Sequence, residues 1–173
     1  MLELSGERGY ANLTVEALLE RSETSRELFE AQFFGDLDAC FAIAYELEAE
    51  ALCAAVVGAI EASADWRGAA EAGLTTVLGY AAERPAVAKA LVYEVHVAGG
   101  VALAKHGEVI ERLTAVVEGC ESPETMSIAS SFVVGAVEGV ISARVSRGEA
   151  EGALEALPEL TELAISSLAN GAL

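Results

Sequence analysis

Proline interrupts this chain at only three places, Pro85, Pro123 and Pro158, and each stands where a helix is expected to open. A proline in the first helical turn costs nothing, because its missing amide would be unpaired there anyway. Between those points the sequence is rich in Ala, Leu and Glu, which lose little on entering a helix. Val-rich patches such as Val133-Val134 suit strands, but they lie inside longer helical periods. Hydrophobic residues make up 53% and charged residues 22%, enough to build a core and too apolar for a disordered chain. The expected fold is all-α.

Met1 to Arg8 reads as the end of a helix stopped by Gly9. Thr14 is placed to cap the next helix, whose apolar face is Val15, Leu18 and Leu19. Ser22 to Thr24 makes a turn, and Ser25 caps a second short helix with Leu28 and Phe29 facing in and Arg26, Glu27 and Glu30 facing out. Two short helices around a tight turn are the layout of a helix-turn-helix, whose second helix enters the DNA major groove. From Asp36 one long helix is expected to about Ala62, then helices over Trp66 to Arg84, from Pro85 to the Gly99-Gly100 break, and Val101 to Glu118. A loop at Glu121-Ser122-Pro123 precedes a helix from Glu124 to about Arg147, and a last helix runs from about Pro158 to Asn170. The organisation expected is a helix-turn-helix head over residues 1–45 and a helical-bundle ligand-binding and dimerisation domain over residues 46–173.

Ten basic residues face 28 acidic ones, a formal net charge of −18. Such a charge repels nucleic acid at long range, unless it reflects only solvated helix faces. Over residues 8–38 three arginines and no lysine meet seven acids, a net of −4. The counterion release that drives DNA binding is therefore weak there. Cys40, Cys53 and Cys120 have no CxxC or metal-ligand spacing and read as small buried hydrophobes in a reducing cytoplasm. The N-terminal stretch lacks the apolar segment of a signal peptide. Apolar runs are broken by Glu, Gly or Ser before about 18 residues, so no membrane span is expected. The expected location is the cytoplasm.

Catalysis has no support in the sequence, and no cofactor is expected. The two histidines, His96 and His106, form no H-E-x-x-H or Glu-x-x-His pair, so no metal site is expected. Neither a nucleophile elbow nor a phosphate-binding glycine loop is present. Trp66, Leu78, Tyr80, Leu91, Tyr93, His96 and Phe132 can line an apolar pocket with a few polar handles, or can be ordinary core. Glu94, an acid on a mostly apolar helix, either pairs with a cationic ligand or faces solvent. Small residues, Ser131, Gly135 and Gly139 among them, interleave the penultimate helix and permit close approach of another helix. With Leu160, Leu163 and Leu168 of the amphipathic last helix they suggest a dimer interface, the alternative being packing within the chain.

The run Arg8-Gly9-Tyr10, Leu13-Thr14-Val15, Ser25-Arg26, Phe29, and Phe33 with Gly35-Asp36 resembles the DNA-binding domain of the TetR/AcrR family of bacterial transcriptional regulators. The resemblance is specific over residues 8–41 and continues more weakly through Glu83-Arg84-Pro85-Ala86, Gly135 to Arg144, and Leu157-Pro158-Glu159-Leu160. It implies a homodimer whose two heads read a near-palindromic double-stranded operator, and a small-molecule effector that releases the DNA, as for a repressor. The recognition helix would be Ser25 to Gln32. Thr14, Thr24, Ser25, Arg26, Leu28, Phe29, Glu30 and Gln32 would be the DNA-binding residues by that resemblance. The chain departs from the family at the turn, where Glu23 replaces a small residue, at Glu30 in place of a tyrosine, and at Leu37 in place of a lysine. Its first helix is also shorter than the family's.

Overall fold

A computed structural model describes residues 1–119 and 127–169 and is all-helical, with no strand among the described residues. The helices are α1 (Leu2–Arg8), α2 (Val15–Ser22), α3 (Arg26–Phe33), α4 (Leu37–Glu61), α5 (Trp66–Glu83), α6 (Pro85–Lys89), α7 (Val95–Ala98), α8 (Gly100–Gly119), α9 (Ser127–Arg147) and α10 (Leu157–Ala169). Short 3-10 segments at Tyr10–Asn12 and Ala150–Ala156 link them, and a π-turn, Ala90–Glu94, joins α6 to α7. Cys120, the loop expected at residues 121–123, the helix start at Glu124 and the end at Asn170 lie outside the described residues.

Most boundaries are written in local chemistry. The Thr14 hydroxyl accepts the Ala17 amide at 3.2 Å, the Ser25 hydroxyl accepts that of Leu28 at 3.2 Å, and the Asp36 carboxylate takes two amides of α4. Each satisfies amides that have no partner inside the helix. Gly9 closes α1 at φ 82, and Gly99 and Gly100 turn the chain between α7 and α8 with positive φ.

Three apolar clusters form the core. The first, near the N-terminus, gathers Leu4, Leu13, Leu18, Phe29 and Cys40. A second joins Leu2 to Phe41, Tyr45 and Ala49 of α4, and to Val87, Leu91 and Val95. A third packs α5 against α9, the 150–156 segment and α10. Helices α1 and α4 each contribute to the first two clusters, so they carry the N-terminal helices on the rest of the chain. The junction is tight: a Cβ built on Gly6 would lie 1.8 Å from the carbonyl oxygen of Ala86.

Over Ile128–Arg147 helix α9 is long and apolar enough, by length and composition alone, to match a membrane-spanning helix, a match that the core helix of a soluble protein also makes. One side of it is buried, with Val133, Ile141 and Val145 in the third cluster and Val134 beside them. Ile128 and Phe132 on another side are exposed.

Candidate functional site

Helices α4, α5, α8, α9 and α10 enclose a cavity of about 150 Å³, lined by apolar side chains such as Leu52, Val56, Leu74, Ile110, Val134 and Leu168. The lining follows helical periodicity. On α4 it includes Tyr45, Ala49, Leu52, Cys53 and Val56; on α8 it includes His106, Val109, Ile110 and Leu113. Residues three and four apart share a helix face, so each helix turns one stripe to the cavity.

Polar groups meet the cavity chiefly at one end. The Tyr45 hydroxyl lies 2.9 Å from His106 Nδ1, and His106 Nε2 lies 2.8 Å from Glu138 Oε1. Tyr45 and His106 are buried and Glu138 is half-buried. Burial, with the Glu138 charge adding to it, pushes the Tyr45 phenol well above its ordinary pKa and keeps it neutral. Burial likewise raises the thiols of Cys53, on the cavity wall, and of Cys40, so neither is a reactive thiolate. The cavity thus offers an apolar volume and one hydrogen-bonding end, the usual composition of a small-molecule site.

Among the residues expected to line a pocket, Leu91 lines this cavity, while Tyr93 and His96 line a separate cleft that shares Glu138 with it. Trp66 is half-buried at the start of α5 with the Arg67 guanidinium over its ring, 4.9 Å from the centroid. Leu78 is fully buried core. The Tyr80 hydroxyl donates to Glu48 at 2.9 Å, and Arg84 binds the same carboxylate. Tyr93 and Phe132 are exposed. Glu94 does not face solvent: it is 3% exposed, accepts the Tyr10 amide at 2.8 Å and pairs with Lys89 at 3.4 Å. It ties the N-terminal helices to the body. His96 stands outside the cavity, 4.0 Å from Glu138. Residue type alone cannot locate a void, because a void forms wherever neighbouring helices pack imperfectly.

The residues expected to meet DNA divide into two groups. Phe29 is 3% exposed and packs on Phe33 with ring centroids 5.3 Å apart, so it cannot touch a ligand from outside. Leu28, expected to face in, is 58% exposed. Thr14, Ser25, Arg26, Glu30 and Gln32 are exposed and Thr24 is half-buried, its hydroxyl donating to the Ser22 carbonyl at 3.3 Å. Two of the three arginines of this region, Arg21 and Arg26, answer acids of the same chain. Arg26 pairs with Glu16, and Arg21 with Glu7 and Glu3. The outer face of α3 is left with Glu27 and Glu30.

The residues expected at a dimer interface also divide. Ser131, Gly135 and Gly139 lie exposed on α9, and a Cβ on either glycine would meet nothing within 4 Å. Packing within the described chain therefore does not require glycine at either position. Leu160 and Leu168 are 6% and 5% exposed in the chain's own core, and Leu163 is half-buried, so these three do not extend the α9 face outward.

Unanticipated in the sequence was the convergence of Tyr45, His106 and Glu138, which come from three helices far apart in the chain. The only signal was that each falls on the inward stripe of its helix, or at its edge. Neither models of known protein families nor curated proteins match this chain.

Proposed function

We propose that this protein is a ligand-responsive transcriptional regulator of the TetR type, a homodimer that binds operator DNA through α2 and α3 and is released by a small molecule. The observation that carries the reading is the apolar cavity closed at one end by Tyr45, His106 and Glu138, in a body joined to the N-terminal helices by α4. Its effector is a compact apolar molecule with one polar group, about the size of a small aromatic ring. Helix α4 supplies the coupling. Tyr45 on it faces the cavity, while Cys40 on it packs against the cluster that holds α2 and α3. An occupant that displaces Tyr45 therefore pushes on the element that positions α3. The exposed face of α9, with Gly135 and Gly139, is the surface for the second copy.

A second reading has its own observation. Arg21 and Arg26 are both engaged by carboxylates, and residues 8–38 carry a net charge of −4. These favour a dimeric ligand-binding module of the same architecture that has lost DNA binding. Titrating the protein against its own promoter region at several salt concentrations separates the two. A palindromic footprint whose affinity falls steeply with salt, and which Arg26→Ala weakens, supports the regulator. Failure to retain any genomic fragment at low salt leaves the ligand-binding module.

A further inference from the structure

His96, His106 and Glu138 belong to three successive helices, α7, α8 and α9, and one donor atom of each lies within 4.8 Å of the other two. His106 Nε2 is 2.8 Å and His96 Nε2 is 4.0 Å from the same carboxylate oxygen, Glu138 Oε1. The imidazole rings stand edge to face with centroids 5.1 Å apart. We propose that these three side chains form a binding site for a divalent transition metal of the Zn²⁺ class, at the rim of the apolar cavity. The proposal does not depend on whether α3 reads DNA.

The donor set chooses the metal. Two imidazoles and one carboxylate suit Zn²⁺ and its transition-metal neighbours, whereas Mg²⁺ and Ca²⁺ prefer oxygen. Three protein ligands leave a fourth tetrahedral position for water or for an oxygen of another ligand. Zinc bonds of about 2.0–2.1 Å place tetrahedral donors about 3.3 Å apart. The observed separations from Glu138 fall on either side of that value, so a rotation of the His96 side chain, which is 53% exposed, would complete the set. A simple ion pair would need only one imidazole on the carboxylate; the second has a role when a metal is shared.

A second, independent feature points the same way. Histidine ligands almost always carry a partner on the other ring nitrogen, which sets the tautomer and the ring plane. His106 has one: the buried Tyr45 hydroxyl, 2.9 Å from Nδ1. With a metal on Nε2 the neutral imidazole keeps its proton on Nδ1 and donates it to Tyr45. In the single chain a cleft lined by Tyr93, His96, Val97, Gly135, Gly139 and Ser142 reaches Glu138 from outside, and the second copy placed on Gly135 and Gly139 would cover part of it, so an ion would enter before the copies meet. The neighbouring cation Lys105 is held elsewhere by Glu46 and Glu108, so it does not compete for Glu138.

The test uses the untagged full chain and the metal alone. Calorimetric titration with Zn²⁺ should give one ion per chain. Co²⁺ should give the visible bands of a four-coordinate nitrogen and oxygen site. Substituting His96, which is exposed and leaves the fold alone, His96→Ala should weaken Zn²⁺ binding at least about tenfold without changing the melting temperature of the metal-free protein. Tyr45→Phe, removing only the positioning hydroxyl, should weaken it by about tenfold. The proposal is overturned by absence of stoichiometric binding, by unchanged affinity in His96→Ala, or by a thiolate-to-cobalt charge-transfer band, which would place the ion on cysteine.

Discussion

Near the N-terminus, charged side chains neutralise one another across helix surfaces; in the body, polar side chains converge around an apolar space. Arg21 reaches Glu3 and Glu7, and Arg26 reaches Glu16, all with exposed side chains. Such pairs are screened by water and contribute little individually. Tyr45, His106 and Glu138 also satisfy one another, but two of the three are buried and they adjoin the cavity. Where water is excluded the same contacts are stronger and more exacting in geometry. The contrast places most of the chain's specific chemistry in the body, while the N-terminal helices depend on one small core and on their attachment.

The sharpest way to break that comparison is to remove one leucine from each side. Leu78 is fully buried, and Leu78→Ala should cost about 2–5 kcal/mol in urea unfolding. Leu28, 58% exposed on α3, should cost under about 0.5 kcal/mol on the same substitution. Similar losses at both sites would mean that α3 is packed against something beyond this chain.

The junction comes next. Gly6→Ala drives a methyl group into the Ala86 carbonyl, so α1 must move off α6. A loss of at least about 2 kcal/mol is expected, read as a lower urea midpoint. A wild-type midpoint would show that the N-terminal helices are held mainly by α4.

Alkali probes both regions at once. Burial first, and then a carboxylate neighbour in each case, raises the phenol pKa of Tyr10, Tyr45 and Tyr80 above the ordinary 10.0. A raised acid favours the protonated form in the folded chain. The stability it contributes is full below pH about 10 and declines above it, because the unfolded chain ionises first. Circular dichroism melts between pH about 9 and pH about 11 should show this decline, and Tyr45→Phe should flatten it. An unchanged slope in that variant would assign the effect to Tyr10 and Tyr80.

The smallest effect is local. Glu23 stands between α2 and α3 at φ 53, a conformation that suits glycine. Glu23→Gly should stabilise the chain by about 1 kcal/mol, seen as a higher melting temperature. A decrease instead would mean that the Glu23 side chain itself holds the turn.

Much of this fold was legible because helix ends are local events. Thr14, Ser25 and Asp36 act where their side chains can reach amides two or three residues away, and Gly9 and Gly99 stop helices by their own dihedral angles. Less legible was any feature that depends on a rotation between distant elements. Leu28 and Phe29 are adjacent, both apolar, and only packing against Leu18 and Cys40 decides which is buried. The π-turn at Ala90–Glu94 has no sequence signature here, yet it shifts the helical register before His96. For the cavity the aromatic residues were the wrong guide, because its walls are mostly Val, Leu, Ile and Ala.

The sequence by itself determined the all-helical class, the main helix boundaries and the acidic character, since propensity, capping and charge act over a few residues or over the whole composition. Tertiary structure alone decided where the void lies, which acids hold Arg21 and Arg26, that Glu94 is a buried tie, and that His96, His106 and Glu138 meet. Those outcomes depend on how helices separated by tens of residues are rotated and packed, and helical periodicity fixes the stripe each helix buries without naming the stripe it will face.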